Sequence, residues 1–427
     1  MKKFFIAIIL IIIASLIAPK FIGSVVKTEH QAGIDKLSAN PAITINASSF
    51  TANWFSGKAS TEMTILLHED EIEDITIIIE ENLSFGPVIS TDQGLQLALS
   101  YSQANINFKE SLLDEEVATF INNKIHLSGL LTFSKDIVSI IEIDEVSKEI
   151  DGNKVTSAKA VGNFTLENNN RVYGDFNWPG LTATTSEESF TIEGVKFSLD
   201  QILIAGDYYQ GNAISTGDFD FVIAAIKAQD SAGNSVFSLD NLLINAIASV
   251  KDDLMQINMN YSADKFASAG QQLEKANLAV VFNGLNIKVM QEVNTLMTQL
   301  SADGEEMFSP HNMEKLAKLT AKLLADDPLL EITDFSVETL EGKIESAMQL
   351  SVDKDKFDTS NIMSIMAALK AKANGKAPMA FFTKLGLSPM VDMYVQQGFI
   401  IQNDDELSFK VNFAQGQLNV NGQVIPL

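Results

Sequence analysis

Short runs of alternating apolar and polar residues fill the chain from Ile43 to about Phe282: "ITINASSFTANWF", "STEMTILLH", "DITIIIEENLSF", "LQLALSYSQANINF", "KIHLSGLLTFS", "SFTIEGVKFSL", "DFDFVIAAIKAQ" and "MQINMNYSADKF". A period of two sends apolar side chains to one face of a strand and polar ones to the other. The Gly, Asn, Asp and Ser clusters between the runs are turn chemistry. The pattern predicts a long antiparallel meander. The C-terminus continues it: Phe409, Val411 and Phe413 alternate with Lys410 and Asn412, and Gln415-Gly416 turns the chain. Leu418 and Val420 then alternate with Gln417 and Asn419, and Asn421-Gly422 returns the last residues as a short third run. Three runs, "LQLALSYS", "MQINMNYS" and "LSFKVNFA", share a shape that either an internal duplication or plain convergence of amphipathic strands produces.

Helical spacing enters late. Leu285, Val289, Val293, Leu296, Met297 and Leu300 fall on one face of a helix near 285–300. Ser309-Pro310 is a start signal for a second helix near 310–324, with Met313, Leu316, Leu319 and Leu323 on its stripe. Further helices are expected near 360–372 and 378–397, the latter containing a second start signal, Ser388-Pro389. Between them "LLEITDFSVETLEGKIESAMQLSVD" alternates as two strands about Glu341-Gly342. The expected fold class is α+β, mainly β: a large curved antiparallel sheet or meander with several amphipathic helices packed on it.

The N-terminus adds an expectation of place. "MKKFFIAIILIIIASLIAPKFIG" carries no charge from Phe4 to Pro19 and stays largely apolar to Val26, close to the ~20 residues that span a bilayer. Residues 1–26 are read as a transmembrane anchor contacting the inner membrane through residues 4–26. A cleaved secretory signal is the alternative, although Ala18 is followed by Pro19 and no small-x-small site appears. Lys2 and Lys3 put the N-terminus in the cytoplasm and residues 27–427 in the periplasm of a bacterium. Val26, His30, Ile34 and Leu37 then suggest a short stalk helix leading away from the bilayer.

Composition removes several function classes. The 427 residues carry a formal charge of −25 and a pI near 4.5, which excludes the basic footprint that nucleic acid requires. Arg171 is the single arginine, and the absence of cysteine rules out disulfides and thiolate chemistry. His30, His68, His126 and His311 stand far apart, in no zinc or nucleophile spacing. The acidic run "HEDEIED", His68 to Asp74, reads as a solvated turn that keeps a sheet edge from pairing, rather than as a cation site. Ten of the 14 methionines lie between Met290 and Met393 and are expected chiefly in the core, an adaptable binding surface being the other use of such residues. These residues nominate no catalytic, cofactor-binding or metal site.

Several stretches together resemble the YdgA-like family of bacterial envelope proteins, a family of unknown function with an N-terminal membrane segment and a large periplasmic region. "FAQGQLNVNGQVIPL", with Gly416, Asn421 and Gly422, is similar to the family's closing pattern. Gly86-Pro87 in "LSFGPVI" resembles its His-Gly-Pro turn, with Phe85 in the histidine's place. "FTANWFSG" keeps Trp54, Phe55 and Ser56 of an early aromatic motif but has Ala52-Asn53 where Arg-Gly is usual, and the strands about Gly342 look like the family's late hairpin. What survives is apolar, aromatic or glycine, the sort of residue that fixes turns and strand pairing. The expected function is therefore a non-enzymatic binding or scaffolding role at the envelope, through self-association or a protein partner. The alternative is a lipid or acyl-chain carrier with an apolar groove, which needs inward apolar side chains on many successive strands. An envelope hydrolase using His126 and a carboxylate is the third reading.

Overall fold

The computed structural model describes residues 2–67, 74–109, 122–150, 152–268, 270–303 and 309–425. The side chains of residues 2–15, 150, 301–303 and 362 are not among those described. A long helix, α1 (Lys2–Ser38), leads into β1 (Ile43–Ala52), β2 (Ser56–Ile65) and β3 (Ile75–Phe85). A two-stranded ribbon, β4 (Val88–Thr91) and β5 (Gly94–Leu97), precedes β6 (Ser100–Phe108), β7 (Ile125–Leu131), β8 (Ile137–Ile143), β9 (Val146–Ile150), β10 (Asn153–Ser157) and β11 (Ala160–Glu167). Six long strands follow: β12 (Arg171–Thr184), β13 (Glu188–Ala205), β14 (Ile214–Asp230), β15 (Ser235–Lys251), β16 (Leu254–Ser268) and β17 (Gln271–Asn286). Helices α2 (Ile287–Asp303) and α3 (Pro310–Leu323) come next, then β18 (Leu329–Thr339), β19 (Gly342–Val352), the single turn α4 (Ile365–Ala368) and β20 (Leu369–Pro378). The chain closes with α5 (Met379–Lys384), α6 (Ser388–Gln396), β21 (Ile401–Asn403), β22 (Glu406–Ala414), β23 (Gln417–Val420) and β24 (Gln423–Ile425).

Apart from the ribbon, the strands form one antiparallel sheet. Pairing runs β1, β2, β3, β6, β7, β8, β11, β12 and then in chain order to β20, β22, β23 and β24. The β9–β10 hairpin attaches to the second half of β12, and β21 to the start of β22. Because directly paired residues share a face, the register assigns the two faces across the whole sheet. One row runs Phe164, Gly174, Leu199, Phe219, Ala246, Met259, Val280, Ile332, Met348, Ala373, Val411, Val420, without a polar side chain over twelve strands. The adjacent row on the opposite face begins Asp175, Ser198, Asp220, Asn245, Asn260. One face is mainly apolar and the other mainly polar along the long strands, the polar one carrying Val222, Leu243 and Ile247 among its charged and amide residues.

The helices cover the borders of the apolar face, and α1 covers its β1–β6 end, without roofing its middle. Ile22 and Val26 of α1 are buried with Ala59, Leu83 and Phe85 at the β1–β3 end. Ile287 of α2 is buried with Ile214 and Met255 where β14 and β16 begin, and Ala321 of α3 with Val352, Phe357 and Ala368 where β19 ends and β20 begins. All three clusters lie towards the same border, at strand ends. Across the middle, large side chains such as Phe176, Phe197, Phe219, Ile244 and Leu278 stay partly exposed, and Phe335 is 40% exposed. The total accessible surface is 24457 Å², whereas a compact 46.6 kDa globule has about 16,000 Å². A sheet with one uncovered apolar face contributes to such an excess.

Several expectations need correction. The helix expected near 360–372 is a short 3-10 turn at Ile362–Ser364 and the single turn α4; from Leu369 the chain is β20, because "LKAKANGKAP" alternates. The helix near 378–397 is two pieces, α5 and α6, interrupted at Leu385-Gly386, where Gly386 has φ +73°. The helices near 285–300 and 310–324 are present as α2 and α3, and the Ser309 hydroxyl caps α3 by accepting from the Asn312 N–H at 3.3 Å. "LQLALSYS" is divided between β5 and β6, so it is not the counterpart of the unbroken strands holding "MQINMNYS" and "LSFKVNFA". The expected stalk is not free: residues 18–38 of α1 lie along the sheet, with the Lys36 ammonium 3.1 Å from Asp207 and Lys135 2.7 Å from Glu29. Of the proposed membrane contact, residues 4–15 fall outside the described side chains. Among the described residues no helix is long and apolar enough to cross a membrane. The methionines expected in the core are divided, since Met313, Met363, Met366, Met390 and Met393 are exposed. Of "HEDEIED", only Asp74 lies within the described residues, its carboxylate accepting from the Leu67 N–H at 2.9 Å.

Candidate functional site

Two places bring together the residues that sequence reasoning singled out. The first is the apolar face. Phe197 sits 5.8 Å from Phe164, 5.3 Å from Phe176 and 6.5 Å from Phe219, ring centroid to ring centroid, in a tilted stack across four strands. Gly174 beside them is required by space: a Cβ there would stand 2.6 Å from a Phe164 ring carbon and 2.1 Å from the Asn163 carbonyl. The rings lie over the backbone and present a continuous hydrocarbon surface. "DFDFVIAAIKAQ" and "LLEITDFSVETL" supply Phe219, Phe221, Ile332 and Phe335 to this face, and "LQLALSYS" contributes Ser100 and Ser102 to its far end. A single strand's alternation shows only that it has an apolar side; the register shows that the sides coincide.

The second place is the junction of α1 with the sheet. Phe85, 3% exposed, is wedged between Gly23 of α1 and Gly57 of β2, and a Cβ on either glycine would come within 2.8 Å of its ring. Its N–H donates to the Phe55 carbonyl at 2.8 Å, and the next peptide, Gly86–Pro87, is cis. A Cβ on Gly86 would meet the Ala98 carbonyl at 1.8 Å. Trp54 and Phe55, 46% and 51% exposed, project at the same corner. The Trp54 indole N–H donates to the Leu16 carbonyl at 2.6 Å, and the Lys20 ammonium lies 5.1 Å from its ring centre. Ser56 opens β2. The early motifs thus converge where α1 meets the domain. The late ones do not join them: Gly342 (φ +137°) closes the β18–β19 hairpin, and Gly416, Asn421 and Gly422 (φ +72°, +52° and +88°) form the two turns of the C-terminal meander. There the Asn421 amide donates to the Gly398 and Phe399 carbonyls at 3.0 and 3.1 Å, and its oxygen accepts from the Lys410 N–H at 2.8 Å.

The polar face holds the remaining candidates. His126 on β7 contacts Asn105 of β6 (2.8 Å) and Asp144 just past β8 (3.2 Å), and the His126 and Asp144 side chains are both more than a third exposed. Arg171 donates through Nε and Nη2 to the two oxygens of Asp200 at 2.8 and 2.7 Å; this hydrogen bonding lowers the Asp200 pKa and raises that of the guanidinium. A concavity of about 840 Å³ opens on this face between β20, β22 and β21, lined by Lys372, Asn374, Lys410 and Asn412 among others. It is a shallow valley of solvated side chains, whereas the apolar face continues across the sheet. Among the described residues no three His, Asp or Glu are grouped to hold a metal ion.

A family model described as a bacterial protein of unknown function, DUF945, matches residues 1–427. The chain belongs to the DUF945 family. No curated protein and no solved structure matches it. Membership covers the whole length, so both the junction motifs and the C-terminal meander fall within the DUF945 match.

Proposed function

We propose that this DUF945 protein is a membrane-tethered envelope protein that holds the acyl chains of lipids on its apolar face, without catalysing a reaction. The observation that carries the reading is the row from Phe164 to Val420, apolar at every position over twelve strands and partly exposed at all but its last residue. At about 4.8 Å between strands that row is about 50 Å long, several times the ~15 Å thickness of one bilayer leaflet's hydrocarbon. A protein partner is ordinarily fixed by polar groups at defined positions, and this row has none; a hydrocarbon chain asks only for continuous apolar contact.

The tether supports the same reading. The apolar N-terminal segment runs directly into the helix packed on one end of this face, so a chain leaving the bilayer would reach the sheet there. Trp54 and Lys20 beside it are residue types that settle at a membrane interface. With Lys2 and Lys3 inside, the sheet lies on the periplasmic side of the inner membrane, in keeping with the resemblance to YdgA-like proteins. The second reading, a surface for self-association or an envelope protein partner, is favoured by the exposed Val88, Leu95 and Leu97 of the β4–β5 ribbon. Native mass spectrometry of the full chain ejected from detergent tests the choice. Retained masses of acyl lipid support the carrier, and a lipid-free, self-associated chain overturns it.

A further inference from the structure

Polar side chains on the apolar face are densest at the end under α1. Along the rows of β11–β20 the face is mainly hydrocarbon, with Gln201, Ser215, Thr339 and Ser346 among the exceptions, and the Ser215 hydroxyl donates to the Gln201 side-chain oxygen at 2.7 Å. Under α1, by contrast, it carries Thr61, Glu81, Ser100 and Ser102 on neighbouring strands. Together with His30 from α1 they line a cavity of about 300 Å³ between helix and sheet. Its far wall, Leu131 and Ile137, pairs onward to Leu166, so the cavity is continuous with the apolar rows. Thr61 is 2% exposed and its hydroxyl has no hydrogen-bond partner. A buried hydroxyl left unpaired is unfavourable, and native proteins retain few of them. Glu81 faces the same space with one oxygen 3.5 Å from His30 Nε2. Glu29 lies at the rim, its charge taken by Lys135 at 2.7 Å.

We infer that this cavity is the seat for the polar end of the bound lipid, and that the lipid is a neutral acyl ester bearing a free hydroxyl, of the diacylglycerol class. The inference rests on the acyl-chain reading of the apolar face. The Thr61 hydroxyl donates to an ester carbonyl, the Glu81 carboxylate accepts from the ligand's hydroxyl, and the chains leave past Leu131 and Ile137 onto the aromatic rows. The acidic wall selects against phosphate and free carboxylate, because an anion beside Glu81 in a partly buried site is repelled. Among the described residues that line the cavity none is arginine or lysine.

The test measures binding of dioleoylglycerol, oleate and hexadecane to the full chain, wild type against Thr61→Val, with the unfolding midpoint of each. Removing an unpaired buried hydroxyl leaves the midpoint equal or higher, so loss of binding is separable from loss of fold. The expected result is a 5- to 10-fold loss of dioleoylglycerol affinity, about one hydrogen bond, with hexadecane affinity unchanged. Equal dioleoylglycerol affinity in the two proteins, or wild-type preference for oleate, overturns the polar seat while leaving the apolar face as a carrier. Failure of all three probes to bind wild type overturns the carrier and the seat together.

Discussion

Replacing Phe85 with alanine should loosen helix α1 from the sheet. The ring is 3% exposed and touches Ile22 and Val26 on the helix side, Ala59 and Leu83 on the sheet side. Phe→Ala in a core costs about 3–5 kcal/mol, the upper part applying where the site cannot collapse. Here the flanking residues are Gly23 and Gly57, which have no side chain to move into the void, so about 4 kcal/mol is expected. A sheet of this length need not unfold as one unit, and the loss should be local. Hydrogen exchange read by mass spectrometry is the assay. Amides of residues 18–38, β2 and β3 should lose protection by close to a thousandfold, since each 1.4 kcal/mol is a factor of ten. Amides of β15 to β19, at the far part of the sheet, should not change. A fall of less than tenfold near α1, or an equal fall throughout, would refute the view that Phe85 is the local wedge.

Other outcomes follow from the same geometry. Ala246→Trp, which fills the middle of the apolar row, should abolish lipid retention with little change in melting temperature; retained lipid would contradict the assignment of that face. Asn421→Ala removes three hydrogen bonds and puts alanine at φ +52°, so the unfolding free energy of the C-terminal meander should fall by about 2–4 kcal/mol, measured by urea titration. In a Trp178→Phe protein, bromine-labelled phospholipid should quench the remaining Trp54 fluorescence, and absence of quenching would remove Trp54 from the membrane interface. Glu62, Asp200, Glu341 and Asp353 have lowered pKa values through hydrogen bonds from Lys109, Arg171, Lys384 and Lys370 respectively. Below about pH 4 the unfolded chain therefore takes up protons before the folded one, and stability present at neutral pH is lost as pH falls further. These carboxylates are only partly buried and solvent screens their ion pairs, so the decline in urea midpoint should be shallow, and a sharp loss above pH 5 would point elsewhere.

Much of the sheet was legible because its signals are local. Gln415-Gly416 and Asn421-Gly422 between alternating runs specify the C-terminal meander, and Glu341-Gly342 the β18–β19 hairpin, each within about twenty residues. The stretch from Ile362 to Ala368 misleads because its apolar spacing suits a helix, while the β20 alternation that ends it, Ala371 and Ala373 against Lys370 and Lys372, depends on alanine, a weak marker of either period. Val26 and Ile34 of α1 have the spacing of an amphipathic helix whether the apolar partner is a bilayer or a sheet, so their packing against the domain could not be read from the chain. The candidate site was the least legible part. The twelve-strand row depends on register between residues as distant as Phe164 and Val420, and Thr61 is one threonine among many until its neighbours show that its hydroxyl is unpaired.

The central claim is that lipid lies on the apolar face and not on the polar one, and adjacent residues of β14 test it directly. A photo-reactive amino acid placed at Phe219, on the apolar row, or at Asp220, on the polar row, is irradiated in living cells, and the adducts are weighed. Acyl-lipid adducts are expected from position 219 and none from position 220. Protein adducts at 219, or lipid adducts equally at both positions, would contradict the claim.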